Sequence, residues 1–201
     1  MDLVSEFGSI DIYLFDQALK GRFRPGMRLL DAGCGGGRNL VYFLRAGFDV
    51  SAVDAAPDAV AAVRELAARL APSLSAANFR IERIEAMSFP DSSFDAVFSS
   101  AVLHFADGPA QFRAMLDGMW RVLRPGGFFF ARLASSITLE NGVVPIGNGR
   151  YRLPDGSDRF LVNEALLETL AEELGGRLAE PLKTTNVQGQ RAMTTWCLTK
   201  R

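Results

Sequence analysis

A glycine-rich loop set between an apolar strand and an amphipathic helix constrains this chain more than any other feature. Leu29-Leu30-Asp31-Ala32-Gly33-Cys34-Gly35-Gly36-Gly37-Arg38-Asn39 follows a Pro25-Gly26 turn. The pattern predicts a buried strand over 28–31 and a helix from about Arg38 to Ala46 that Gly47 stops. Strand, loop and helix in that order open a parallel βα unit, and such a loop lies where doubly wound sheets bind nucleotide-like ligands.

The same alternation continues along the chain. Phe48 to Asp54 reads as the second strand, and Pro57-Asp58 opens a helix with Val60, Val63, Leu66, Ala67 and Leu70 as its buried stripe. Asn78 to Ile84 reads as the third strand and Phe94 to Ser99 as the fourth, with a connection too short for a full helix. Asp107-Gly108-Pro109 caps a helix to Leu123 whose inward residues are Phe112, Met115, Leu116, Met119 and Val122, and Arg124-Pro125-Gly126-Gly127 turns into a fifth strand over 128–133. Residues 134–160 are dense in Gly, Pro, Asn and Ser, and read as an irregular insertion or lid on the substrate side. A helix over 163–174 and two strands over 177–187 and 191–199 close the chain. Ahead of it all, Ile10 to Leu19 reads as an amphipathic helix carrying Tyr13 and Phe15. The expectation is one α/β domain, residues 1–201, with a cover helix in 1–26.

The loop does not fit a dinucleotide. A Gly-x-Gly-x-x-Gly fingerprint starting at Gly33 needs glycine at 38, where Arg38 stands, and Asp31 puts a carboxylate at the strand end, poorly matched to a pyrophosphate. A carboxylate beside glycines suits instead a ligand with an ammonium group, the bare backbone letting a nucleoside come close. Asp54 ends the second strand about 20 residues on, placed to accept from ribose hydroxyls or to cap the next helix.

These residues resemble the class I S-adenosylmethionine-dependent methyltransferases, whose Asp-x-Gly-x-Gly-x-Gly motif is matched by Asp31, Gly33, Gly35 and Gly37. Phe89-Pro90-Asp91-x-x-Phe94-Asp95 is similar to that family's approach to strand four, and Arg121-Val122-Leu123-Arg124-Pro125-Gly126-Gly127 to its approach to strand five. The resemblance covers most of residues 27–133. It implies a doubly wound, mostly parallel seven-stranded sheet, Rossmann-like, with the last strand antiparallel, and S-adenosylmethionine as cofactor. It implies cofactor contacts from Tyr13, Asp31, Ala32, Gly33, Cys34, Gly35, Asn39, Asp54, Ala55, Ile84, Glu85, Ala86 and Ser99. Where the family often has an Asp then a small residue after strand three, this chain has Arg83-Ile84-Glu85, so Glu85 or the amides of Ile84 and Glu85 would read adenine. Gly36-Gly37-Arg38-Asn39 with Tyr42-Phe43 further resembles small-molecule and tellurite-resistance-type methyltransferases, without indicating tellurite as substrate.

His104, the single histidine, follows strand four and could orient an acceptor, take its proton as a catalytic base, or simply bond to backbone. Ser99 and Ser100 could touch the methionine part or be satisfied locally. Tyr13 could cap the cofactor or pack. Cys34 reads as a small filler, since no base stands beside it. Arg150, Tyr151 and Arg152 could gate an anion or form a solvated turn. The 22 basic and 23 acidic residues leave a formal charge of −1, which disfavours nucleic acid and anionic membranes as partners. With one His and two Cys the expectation is no metal and no disulfide framework, and the first ten residues lack a secretory pattern, so the expected setting is cytoplasmic. Two functions compete: transfer of the S-adenosylmethionine methyl group to a small nucleophile by in-line displacement, or a non-catalytic sensor or partner subunit binding the same ligand. An open chamber under 134–160 favours the enzyme and a plugged one the binder.

Overall fold

The computed structural model describes residues 2–139 and 142–201, so Met1 and two positions of the 134–160 segment, 140 and 141, lie outside the described residues. The chain forms α1 (Leu3–Phe7), α2 (Ile12–Leu19), β1 (Arg28–Ala32), α3 (Val41–Arg45), β2 (Asp49–Asp54), α4 (Pro57–Leu70), β3 (Phe79–Ile81), β4 (Phe94–Ser100), α5 (Pro109–Val122) and β5 (Leu123–Ser135). It continues through β6 (Val144–Gly147), β7 (Arg150–Arg152), β8 (Asp158–Phe160), α6 (Glu164–Glu173), β9 (Gly176–Leu178), β10 (Lys183–Val187) and β11 (Arg191–Lys200).

The main sheet runs β10-β11-β5-β4-β1-β2-β3, with β1 parallel to both β2 and β4, and β11 antiparallel to β5. The strand order reverses at β1, which places the glycine loop at the switch point where open α/β sheets bind ligands. This is the Rossmann-like arrangement expected from the sequence, with one refinement. The outer position beside β11 is filled by two short strands, β9 against Leu198–Lys200 and β10 against Arg191–Thr195. Pro181 stands between them and has no N–H to carry the ladder through.

Alternation along β5 shows how the sheet is buried on both faces. Phe128 and Phe130 join the core beneath α2, α3 and α4, while Phe129 and Ala131 join the one beneath α5 and α6. On the first face Phe43 stacks on Phe98, centroids 5.5 Å apart, and on the second Trp196 meets Phe129 edge-on at 5.7 Å. The stripe expected on α5 is buried throughout, whereas on α4 Leu66 and Leu70 are half-buried beside the buried Val60, Val63 and Ala67.

Three local expectations are corrected. The helix expected from Arg38 to Ala46 is regular over Val41–Arg45 alone, because the loop continues as hydrogen-bonded turns, Gly37 N–H to Cys34 O and Leu40 N–H to Gly37 O. The strand expected over 78–84 ends at Ile81 and gives way to a 3-10 turn at Ile84–Ala86. The segment read as irregular holds the antiparallel sheet β6-β7-β8. Its first hairpin turns on Asn148-Gly149, both at positive φ (52° and 70°), the pairing a tight twisted hairpin demands.

One glycine fixes how closely α5 approaches the turn after β3. A Cβ on Gly118 would lie 2.4 Å from the Ile84 carbonyl oxygen. Helix propensity alone favours Gly118→Ala by about 1 kcal/mol; the backbone clash predicts instead a net loss of about 1–3 kcal/mol. The denaturant midpoint of the variant reads the sign directly.

Candidate active site

β1 delivers Asp31 into the interior with no exposed surface, and neither carboxylate oxygen has a hydrogen-bond partner. Burial, reinforced by the negative Asp54 and opposed by Arg38, pushes its pKa up to about 8. Just beyond, the loop turns back through positive φ at Gly33 (85°), Gly35 (50°) and Gly37 (79°). At Gly33 there is no room for anything else, since a Cβ would sit 2.6 Å from the Val102 methyls. Asp54 holds the loop and the next helix together: one oxygen accepts from Gly35 N–H at 2.8 Å, the other from Ala56 N–H at 2.9 Å, at the N-cap of α4. α4 itself carries no side-chain cap, so Asp54 fixes the approach to the helix rather than its first turn, and each of its oxygens keeps a free lone pair.

Gly33, Asp54, Ala55, Ile84 and Glu85 come together around a cavity of about 240 Å³, completed by Arg83, Val102, Gln111 and Met115. Glu85 would be raised by its partial burial, but hydrogen bonds from its own backbone and from Arg83 (2.6 and 2.8 Å), with Gln111 at 3.2 Å, hold its carboxyl below the usual range. The sequence reading missed Gln111 and Met115. Met115 lies on the inward stripe it had assigned to core, and Gln111 lies in the first turn of α5, which the crossover brings over the end of β4.

Other expected site residues are committed elsewhere. Ser99 donates to Ala32 O at 2.9 Å. Asn39 accepts from Asp11 N–H at 2.9 Å. The Tyr13 hydroxyl is hydrogen-bonded to Thr185, and its ring lies under the Arg132 guanidinium at 4.8 Å. Cys34 is buried, and burial pushes its thiol pKa up, as suits a filler. Ala86 lies in the 3-10 turn but does not line the cavity.

The contacts of Asn39 and Tyr13 converge on Asp11, which the sequence reading passed over. Asp11 is buried; it caps Tyr13 N–H at 2.9 Å and accepts from Ser100 Oγ at 2.8 Å and Arg132 Nη1 at 3.2 Å, with Arg38 Nη2 3.8 Å away. The network straps α2 across the ends of β4 and β5.

His104 faces a second cavity of about 320 Å³. Ala101, at φ 64°, precedes it and donates its N–H to Arg132 O. The imidazole is nearly buried, and its Nδ1 accepts from Ala134 N–H at 3.2 Å. Burial first, then the cations Arg159 and Arg132, lower its pKa to about 4. It is neutral near pH 7, and since Nδ1 is an acceptor its proton belongs on Nε2. Arg150 and Arg152 do not line this cavity; Arg152 is bound to Asp158 in an exposed pair.

Residues 30–131 match the family described as a methyltransferase domain. The chain belongs to this methyltransferase family. Its curated relatives include the ubiquinone biosynthesis O-methyltransferase of Methylocella silvestris, 36% identical over 162 residues that cover 76% of this chain and 60% of that one. The chain spans about half the length of the curated relatives it matches. Among solved structures, a Pyrococcus horikoshii protein superposes with a TM-score of 0.74 at 19% identity, covering 94% of this chain and 89% of that one. The 1,6-didemethyltoxoflavin-N1-methyltransferase of Burkholderia thailandensis, described with bound S-adenosylhomocysteine, gives 0.69 at 21%, covering 93% and 75%. Among the described residues of this methyltransferase domain no helix is long and apolar enough to cross a membrane.

Two buried groups of the candidate site, Asp31 and His104, have opposite consequences for stability. Asp31 is raised, so its contribution is present below about pH 4 and lost as pH rises through about 8; His104 is depressed, so its contribution is present above about 6.5 and lost as pH falls through about 4. Between pH 6.5 and 8 the Asp31 slope stands alone of the two. The ligand-free protein is expected to lose stability across that window, and Asp31→Asn to flatten the loss, in urea unfolding followed at half-unit pH steps.

Proposed function

We propose that this chain is a single-domain methyltransferase that binds S-adenosylmethionine and delivers its methyl group to a small-molecule acceptor. The observation that carries the reading is Asp31: a fully buried carboxylate, unpartnered on both oxygens, beside a glycine loop at the sheet's switch point. Such a group calls for a cation that donates hydrogen bonds, and the α-ammonium of an amino-acid ligand is one; a pyrophosphate would be repelled.

Asp54 keeps acceptor capacity on both oxygens for ribose hydroxyls, and the cavity between Asp54, Ile84, Glu85 and Met115 would take the adenine. The S-adenosylhomocysteine bound to the Burkholderia neighbour supports the same cofactor, and the printed activity of the Methylocella relative supports methyl transfer. When bound, that cofactor supplies a methyl group already activated on a sulfonium, so the protein's part is alignment and exclusion of water. Residues 1–26 would form the cover, and 134–160 the acceptor side. An enzyme is favoured over a non-catalytic binder because a second chamber, open and unplugged, lies under the β7–β8 hairpin.

Calorimetry tests the assignment. At pH 7 Asp31 is expected to hold a proton in the free protein and to lose it to an incoming ammonium, so S-adenosylmethionine binding should release about one proton, read from the heat in two buffers of different ionisation enthalpy. Asp31→Asn should abolish the release, and Asp54→Ala should weaken binding by about 10-fold or more. Tight NAD binding without S-adenosylmethionine affinity would sink the reading.

A further inference from the structure

The segment Ala101–His104 is a shared wall: Val102 faces the cavity beside the glycine loop, and Ala101 and His104 face the 320 Å³ chamber. The chamber sits over the ends of β4 and β5 and under the β7–β8 turn and the start of β11. Three arginines, Arg132, Arg159 and Arg191, line it against one carboxylate, Asp155, and the remaining lining includes Phe105, Leu153 and Met193.

The arginines are not equally occupied. Arg132 is answered by the buried Asp11. Arg191 reaches Asp155 at 3.7 Å, while Asp155 is itself held below the usual carboxylate range by the Ser157 hydroxyl first, and then by the Ser157 amide, Arg191 and Arg159. Arg159 lies over the Phe105 ring at 4.7 Å and donates to Asp158 O at 2.7 Å; among the described residues it forms no ion pair. Among the described residues the chamber thus holds a cation, Arg159, that Asp155 influences without a direct ion pair, beside a neutral imidazole whose Nδ1 is already occupied and whose Nε2–H is a donor.

No described lining residue is set up as a general base near neutral pH. His104 presents a donor, and Asp155 accepts from the Ser157 amide and hydroxyl, which help hold its carboxyl below the usual range and leave it a weak base. An ammonium group would have to lose a proton before it could attack and an alcohol or a phenol in the course of attacking, and the arginines further disfavour the ammonium. A carboxylate meets both conditions, because it is ionised at neutral pH and brings a charge that can pair directly with Arg159, which no described residue does.

We infer that the acceptor of this site is a small carboxylate with an apolar body, paired to Arg159 and Arg191 and oriented by a hydrogen bond from His104 Nε2. The inference rests on the methyltransferase reading above. The transfer balances without a base: a carboxylate oxygen forms the bond to the methyl carbon, the carbon–sulfur bond breaks with its electron pair left on sulfur, and no proton moves. The product is a methyl ester.

His104 is the single histidine of the chain, so its imidazole resonances report the chamber without overlap. The protein saturated with S-adenosylhomocysteine is titrated with butyrate, benzoate and phenylacetate and with the three matching amides. Saturable shifts of the His104 resonances are expected for at least one acid and for none of the amides. Arg159→Gln should weaken the acid's affinity at least 10-fold and Arg159→Lys should restore part of it, while undisturbed His104 dispersion certifies folding. In a second arm, methyl-labelled S-adenosylmethionine is incubated with a metabolite extract, and label that transfers should return as volatile methanol on mild alkali. Equal response to acids and amides, no response to any acid, base-stable label or no transfer each overturns the carboxylate assignment. Loss of S-adenosylmethionine and S-adenosylhomocysteine binding in calorimetry would instead strike the methyltransferase reading itself.

Discussion

Holding the Asp31 carboxylate away from water with neither oxygen hydrogen-bonded costs the folded, ligand-free protein free energy, and the surroundings are built so that the cost cannot be relieved by movement. Asp31 sits between Ala52 of β2 and Phe98 of β4 in register, inside the central strand of the sheet. The glycine loop behind it is tied to Val53 O through the amides of Gly33 and Cys34, and to Asp54 through Gly35. Val102 closes against Gly33 from the far side. A solvated carboxylate would be more stable, but reaching solvent would break the ladder, so the group waits for a cation. Storing unfavourable free energy at a binding position, to be released by ligand, is a recognised use of local strain at functional positions.

The shared wall extends this logic from one chamber to the next. Ala101 adopts a positive φ, unfavourable for a residue with a Cβ, and is held there by its hydrogen bond to Arg132 O. The kink lets Val102 face one cavity and Ala101 and His104 the other, with Leu103 turned into the core. Arg132 is fixed in turn by Asp11 and the Tyr13 ring, so the N-terminal strap, the wall and the second chamber share one set of contacts. Moving α2 would unseat Arg132, and with it the strand end on which His104 leans.

How much of this could be read from the sequence follows from how local each signal is. β1, the glycine loop, β2 and the start of α4 are set by neighbours within a few residues, and Asp31, Gly33, Asp54 and Ala55 were legible as a group for that reason. Ile84 and Glu85 depended on the family resemblance, and their surroundings depended on Gly118, whose only visible trait in sequence is a glycine inside a helix. Asp11, Arg132 and His104 are far apart in the chain, and nothing short of the folded sheet brings them together. Tyr13, Asn39 and Ser99 illustrate the converse: each lies near the site, yet each finds a partner that no spacing rule could have named. The Asn148-Gly149 hairpin signal was present in sequence, but it was diluted by a general excess of Gly and Asn around it.

Net charge is the weakest guide of all, because it averages over the surface what matters at one point. A formal charge of −1 excludes a broad positive field, yet Arg132, Arg159 and Arg191 converge on one concave site against a single carboxylate, Asp155. Of the residues read as either an anion gate or a solvated turn, Arg152 is bound to Asp158 across the strand pair, whereas Arg159, farther along the segment, faces inward because strand alternation puts Phe160 on the opposite side, stacked on Phe112. Pleat geometry, rather than composition, decides which cation of the hairpin meets the chamber.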